Sequence, residues 1–398
     1  MAVGFFSRSF WVLTALGGIY IALLSTLTFV DVQRFALYAN KFHTGYWDDV
    51  SETERSGFSK HQVTPFFIDS TDNVKLYAWH VLPISVYGKH RDIILSQPDG
   101  LVEDFKQSLP YKLLKDDPDS KVIVSFHGNA GHVGQGFRPD IYRTVTGLSP
   151  HNHLIAIDYR GFGASNGSPT EAGLIADGIS TVDYVVNILG IPPARIAILG
   201  QSLGTAVSSA VALHFASPGA PELAPLNSSS PEIQALTPAA PMDFAKIILL
   251  APFTDLPTLL RTYRISGIIP VLSPLRYHPK AVDWMLKHVV DIWDSAARLE
   301  ALTRATVSDG RTLDLHVVHA MDDWDIRYTH SVDIFKRTMR TDASRTVATT
   351  DLKFRGGERR QWLGPDQVCT IDMLNYGGHN RAMKSSAGQL AVLEAFGL

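Results

Sequence analysis

A serine hydroxyl becomes a useful nucleophile only when a base takes its proton and amide donors hold the oxyanion that follows. This sequence offers the parts for such acyl transfer. The pattern Gly-x-Ser-x-Gly occurs twice, and by itself it is weak. Context separates the two copies. Gly200-Gln201-Ser202-Leu203-Gly204 follows the apolar run Arg195–Leu199 and opens a helical pattern, Thr205–Phe215. A strand-to-helix elbow lifts its serine above the sheet, and small flanking residues let the backbone turn sharply. The helix N-terminus beneath favours developing negative charge. Gly163-Ala164-Ser165-Asn166-Gly167 instead runs into Ser168-Pro169, with no helix opening at Ser165, and reads as a loop.

Ser202 needs an imidazole, and the chain has 15 histidines. His379 is the best placed: it follows the last strand pattern in Tyr376-Gly377-Gly378-His379-Asn380, where a Gly-Gly loop swings a ring over a sheet edge. The imidazole in turn needs a carboxylate to hold its tautomer. We take Asp323, from His319-Ala320-Met321-Asp322-Asp323-Trp324-Asp325; Asp322 and Asp325 compete with it, and Asp255 lies further off. The order Ser202, Asp323, His379 is that of strand-to-helix elbow hydrolases. For the oxyanion, the N–H of Leu203 follows the nucleophile, and Gly128 in Phe126-His127-Gly128-Asn129-Ala130-Gly131-His132 permits a turn that aims the Asn129 N–H inward. His127 and His132 read as structural, since no carboxylate spacing makes them metal ligands. No phosphate-binding loop and no His-Glu-x-x-His is present, and Gly161-Phe162-Gly163 lacks the third glycine of a dinucleotide fingerprint, so neither cofactor nor metal is inferred.

The elements that must position these residues alternate. Val63–Asp69 and Val74–Leu82 read as strands around Asp72-Asn73. Further apolar runs occur at Val122–Phe126, Leu154–Ile157, Ile196–Leu199, Ile247–Leu250, Leu313–Val318 and Thr370–Leu374, with helical patterns between several of them, Thr170–Leu189 being the longest. Unbroken apolar strands alternating with helices predict an α/β fold, a mostly parallel eight-stranded sheet covered on both faces. Val86 to Asp119 is irregular by pattern. Residues 217–242, rich in Pro, Ala and Ser, read as a flexible surface insertion. Residues 254–299 read as a helical cap, most apolar at Ile265–Leu275, and Ile265, Ile268 and Ile269 are its candidate acyl-chain contacts.

Phe10–Val30 contains 21 residues and no charge, enough to cross a bilayer as a helix and longer than a signal-peptide core. Residues 1–9 form a short tail before it. Residues 31–60 are polar and mixed and read as a linker to a catalytic domain over 61–398. Lys and Arg number 36 against 39 Asp and Glu, a balance that argues against a nucleic-acid binder. The single cysteine, Cys369, excludes an intrachain disulfide. Glycosylation sequons occur at Asn166, discounted for Pro169 and its glycine-rich loop, and at Asn227. Nothing in the sequence singles out a protein partner.

Taken in order, His127-Gly128-Asn129-Ala130-Gly131, Asp158-Tyr159-Arg160-Gly161-Phe162-Gly163-x-Ser165-x-Gly167-x-Pro169-x-Glu171, Gly200–Gly204, Ala251-Pro252-Phe253-Thr254, His319-Ala320-x-Asp322-Asp323 and Gly378-His379 resemble the α/β-hydrolase-domain serine hydrolases, the membrane-anchored monoacylglycerol and lysophosphatidylserine lipases in particular. The resemblance runs from about Lys121 to the C-terminus. It implies an α/β-hydrolase fold, a triad acid at the second aspartate of Asp322-Asp323, a lipid ester substrate, and a catalytic domain in the endoplasmic reticulum lumen or outside the cell. Two features depart from that group: the insertion, and Trp324-Asp325-Ile326-Arg327 where an apolar-Pro ending is usual. A thioesterase acting on acylated protein would use the same triad, and a hydrolase-fold scaffold without activity is the alternative of another class.

Overall fold

The computed structural model describes residues 2–43, 49–226, 230–265, 267–341, 346–352 and 356–397. The first two strands, β1 (Val63–Asp69) and β2 (Lys75–Val81), form a hairpin. Its turn residues Asp72 and Asn73 take positive φ, which their short polar side chains tolerate. The apolar runs become β3 (Lys121–Phe126), β4 (Asn152–Ile157), β5 (Ile196–Gln201), β6 (Lys246–Leu250), β7 (Leu313–Ala320) and, after two strands described next, β10 (Gln367–Leu374).

Among the described residues the sheet has ten strands, where the sequence reading gives eight. The additions are β8 (Thr346–Leu352) and β9 (Gly357–Leu363), a hairpin too rich in Thr, Arg and Glu to register as an apolar run. Its place in the sheet is fixed by pairs the pattern does not display: Arg359 lies opposite Asp372 and ion-pairs with it, and Trp362 is fully buried. Strand order is β1-β2-β4-β3-β5-β6-β7-β10-β9-β8. The six strands from β4 to β10 pair in parallel, and antiparallel hairpins close both edges.

Helices cover both faces. Arg138–Gly147 (α3) and Ser386–Glu394 (α9) bury Ile141, Val145, Ala387 and Ala391 against one face. On the other face, Glu171–Asp183 (α4), Leu203–Ala216 (α5), Ser295–Ser308 (α7) and Thr329–Met339 (α8) join the larger core. Every residue of α5 is buried, as befits a helix apolar or small all round.

Several boundaries differ from the sequence reading. The N-terminal helix α1 spans Ala2–Thr26, not 10–30; the hydroxyls of Thr26 and Thr28 hydrogen-bond to Leu23 and Ser25 carbonyls, drawing the chain into a turn before α2 (Val30–Tyr38). The region expected to be a linker therefore contains a helix, and Tyr38 at its end is fully buried. Residues 86–119 hold short helices at Arg91–Leu95 and Leu109–Asp116. The insertion docks rather than loops out: Leu223, Leu226 and Ile233 enter the core, because its few apolar residues recur often enough to cover α5 and α7. The Asn227 sequon lies outside the described residues. The cap is shorter and less helical than 254–299. It comprises the turn Leu256–Leu260, a two-residue hairpin (Arg264–Ile265 with Ile269–Pro270) and helix α6 (Pro279–Leu286), and α7 beyond it belongs to the sheet-covering layer.

Candidate active site

β5 ends at Gln201 and α5 begins at Leu203, so Ser202 alone makes the turn, at φ 53° and ψ −120°. A non-glycine residue held there is strained, and strain of this kind is concentrated at functional sites. Close approach dictates the flanking glycines. A Cβ on Gly204 would sit 2.0 Å from the Phe126 carbonyl oxygen, and one on Gly200 would sit 2.5 Å from that of Gly204. Ser202 is 7% exposed at the floor of the site.

The loop after β7 supplies the carboxylates. Asp323 is buried, and its Oδ1 accepts the N–H groups of Asp325 and Ile326, each at 2.9 Å. That leaves Oδ2 for His379 Nδ1 at 2.8 Å. The neighbouring aspartates hold other loops: Asp322 accepts the Gly378 N–H at 2.7 Å, fixing the approach to His379, and Asp325 accepts the Gly267 N–H at 2.9 Å, tying down the cap hairpin. Asp255 caps the Leu256–Leu260 turn through the Thr258 N–H. Burial opposes charge on Asp323, but hydrogen bonds from His319 and His379 outweigh it and hold the carboxyl well below the usual range. Burial likewise opposes charge on His379, yet the hydrogen bond and charge of Asp323, with Asp325 beyond, lift the imidazole above its ordinary value of 6.5. Asp323, Asp325 and His379 bring ligand atoms within 4.8 Å of one another, a cluster in which Asp323 holds the imidazole and Asp325 accepts the Gly267 N–H.

The loop after β3 passes directly over the serine. A Cβ on Gly128 would meet Gln201 Oε1 at 2.7 Å and Ser202 Cβ at 3.2 Å, so only glycine lets the backbone come this near. The loop's carbonyls face away from the serine. The buried Arg138 guanidinium donates to the carbonyls of Gly128, Asn129, Ala130 and His132. On its outer side the loop is held by the end of α2 and the residues just after it: Ala130 N–H donates to the Tyr38 carbonyl at 2.8 Å, Gly131 N–H to that of Phe42 at 3.1 Å, and Asn129 Nδ2 to that of Leu37 at 3.3 Å. Tyr38 hydroxyl and Arg34 then both reach Asp291 at the end of the cap. Among the described residues the backbone N–H of Asn129 has no acceptor, and that of Leu203 opens α5 directly after Ser202.

Other residues singled out by sequence take structural places. Ser165 is buried, accepting the Tyr77 N–H and donating to the Asp158 carbonyl. His127 is buried with its Nδ1 2.6 Å from the Gly128 carbonyl, and burial pulls its pKa down to about 4. His132 accepts the Gly134 N–H. The long Asp158–Glu171 motif braces the site without entering it. Tyr159 hydroxyl donates to the His127 carbonyl, Arg160 pairs with buried Asp177, and Glu171 pairs with Arg298. Ile265, Ile268 and Ile269 stand 49%, 76% and 61% exposed; instead of lining an enclosed acyl pocket they form the outer face of a hairpin. Sequence reasoning missed Arg138 and Tyr38. Arg138 carries no motif, and Tyr38 sits in a stretch too polar to look like core. Only Leu37 and Tyr38 of that nine-residue helix turn inward while Phe35 stays exposed, too short a pattern to read from sequence.

A sequence profile described as Alpha/beta hydrolase family matches residues 123–381. The lysophosphatidylserine lipase ABHD12 of Danio rerio is 26% identical over 205 residues, 51% of this chain and 48% of that protein. That of Xenopus tropicalis is 28% identical over 207 residues, 52% and 48% of the two chains. The chain thus spans about half the length of the curated relatives it matches. Among solved structures, an alpha-beta hydrolase from Vibrio vulnificus shares the fold at a TM-score of 0.52 and 15% identity, over 91% of this chain and 93% of that one.

Proposed function

The chain belongs to the alpha/beta hydrolase family, and on that premise we propose that it is a membrane-anchored serine hydrolase cleaving the ester of single-chain lipids, a monoacylglycerol or a lysophospholipid. The observation that carries the reading is the strained, buried Ser202 beneath the Gly128–Asn129 loop, with His379 held on Asp323 at 2.8 Å.

Asp323 binds Nδ1–H, which leaves Nε2 as the base. No hydrogen bond joins Ser202 to His379 among the described residues, and such contacts commonly tighten only when substrate binds. As Ser202 Oγ attacks the ester carbonyl, Nε2 takes its proton, and the oxyanion is held by the N–H groups of Leu203 and Asn129. The imidazolium gives its proton to the departing alcohol. Water then attacks the acyl-enzyme with the same histidine as base, releasing the fatty acid. Two features favour a lipid substrate: the apolar hairpin tied to Asp325 at the mouth of the site, and α1, whose stretch Ser9–Thr26 has a mean hydropathy of 1.6 and is almost wholly exposed. The relatives' names include a lysophospholipid, which places that class first in a screen. An endoplasmic reticulum membrane with the catalytic domain in the lumen is part of the same proposal.

Fluorophosphonate labelling of the full chain tests the nucleophile. Labelling is expected in the intact protein and in Ser165→Ala if that variant folds, and none in Ser202→Ala. Labelling that survives Ser202→Ala overturns the assignment. With the nucleophile established, turnover of lysophospholipid and monoacylglycerol is expected to exceed that of an acyl-peptide thioester; the reverse result makes it a thioesterase.

A further inference from the structure

The cap is not suspended in water beside the membrane helix but packed on it. Tyr20 of α1 donates its hydroxyl to the Val271 carbonyl at 2.7 Å, and Leu24 is buried among Leu272, Val282 and Leu286. Tyr20 lies six residues before the end of α1 at Thr26. At 1.5 Å per residue that is about 9 Å along the axis, and helical side chains lean further toward the N-terminus. The hydrocarbon layer is roughly 30 Å thick. If Ser9–Thr26 spans it, Val271 and the hairpin just before it lie below the level at which α1 leaves the bilayer.

We infer that this face of the cap is a bilayer-docking surface: the hairpin around Ile268 and Ile269 lies among acyl chains, and a basic collar around it meets anionic lipid headgroups. The inference rests on reading α1 as a membrane span. Three observations support it independently of that depth. Ile265, Ile268 and Ile269 are exposed side by side, an apolar surface that water penalises and acyl chains do not. Several backbone groups here are bound within the protein, which lowers the cost of leaving water. The hairpin strands pair, Gly267 N–H is bound by Asp325, Ile268 N–H by the Ile265 carbonyl, and Val271 uses its N–H on Tyr263 and its carbonyl on Tyr20. Charge is one-sided: between residues 261 and 288 stand Arg261, Arg264, Arg276, Lys280 and Lys287 against the lone Asp283, which Arg261 neutralises. Tyr277 and Trp284 are exposed among these cations, the residue types that settle at a membrane interface. Because Gly267 is bound to Asp325, two residues from the triad acid, a docked hairpin puts the mouth of the site at the lipid surface, and a single-chain lipid reaches Ser202 without crossing water.

The test uses the full chain in phosphatidylcholine vesicles. The one native cysteine, Cys369, is buried, so an environment-sensitive fluorophore can be placed at Ile268→Cys, at Thr14→Cys within α1, or at the exposed Ser308→Cys before β7, at the opposite end of the sheet. Lipids carrying a nitroxide on the acyl chain should quench Ile268→Cys to an extent comparable with Thr14→Cys and leave Ser308→Cys unaffected. Quenching at Thr14 with none at Ile268 overturns the docking surface while leaving the anchor. Quenching at neither position overturns the anchor itself, and the docking surface with it. Replacing part of the neutral lipid by phosphatidylserine should deepen quenching at Ile268→Cys, and Lys280→Gln with Lys287→Gln should remove that gain; equal quenching on both lipids overturns the electrostatic part.

Discussion

Asp323 sets the protonation of the site, since both of its oxygens are occupied and one of them holds the imidazole. The proposed acyl transfer requires His379 neutral. Its pKa is raised by Asp323, so activity is lost as pH falls through a value above 6.5, and the acid limb sits higher than an unperturbed histidine would give. Asp323→Asn removes the charge: the limb moves down, and kcat falls by about 10⁴ if the loss of the correct tautomer is as damaging as in other triads. Measuring kcat/KM for a soluble ester between about pH 5 and 9 checks both, and a wild-type limb at or below 6.5 would sink the assignment. The elbow at Ser202 and the meeting of Asp323 with His379 were legible because elbow, strand end and Gly-Gly loop each leave a local mark. The division of labour among Asp322, Asp323 and Asp325 was not, since three adjacent aspartates are alike in composition and only the loop's path sends one to Gly378, one to His379 and one to Gly267.

At the scale of elements, the parallel strands announced themselves as apolar runs, while the elements held by polar contacts did not. The β8–β9 hairpin is joined to the sheet through Arg359 and Asp372, and α2 is fixed by the carbonyls that Leu37 and Tyr38 offer to Asn129 and Ala130. A short polar segment looks like a linker until its partner is known. The consequence for α2 is specific: it braces the loop proposed to hold the oxyanion. Tyr38→Ala removes a fully buried aromatic ring beneath that loop, a change that typically costs about 3–5 kcal/mol of stability. It should also lower kcat on a soluble ester by at least about tenfold, a part of the roughly 10²–10³ that one oxyanion donor is worth, with a smaller change in KM. Tyr38→Phe keeps the ring and loses only the 2.8 Å bond to Asp291, which Arg34 still pairs, so about 1 kcal/mol and nearly full kcat are expected. Kinetics below both melting temperatures decide it: unchanged kcat in Tyr38→Ala would mean that the helix merely packs.

The whole molecule answers to acid differently from its site. His80, His127, His153, His214 and His330 are buried, and burial is the main reason each has a lowered pKa, about 4 for His127 and His330 and about 3 for His153. His80 and His153 face each other at 3.0 Å in the core, where a charge on one opposes a charge on the other. The unfolded chain takes protons on these rings from about pH 6.5 downward, while in the folded chain each resists to lower pH, near 4 for His127 and His330 and near 3 for His153. Their contribution to stability is therefore complete above 6.5 and is lost as pH falls, by at most about 1.4 kcal/mol per pH unit for each group. His379 works in the opposite sense: with its folded pKa raised, what it contributes is present below 6.5 and fades as pH rises through the folded value. One such group does not offset five. The melting temperature of the detergent-solubilised chain should hold steady from about pH 8 to 7 and drop steadily below 6.5. Activity should begin to fall at higher pH than the melting temperature does, and it should recover on return to neutral pH, because a single proton on His379 silences a site that is still folded. If the two limbs coincide, the loss of activity is unfolding, and the raised His379 does not control the rate.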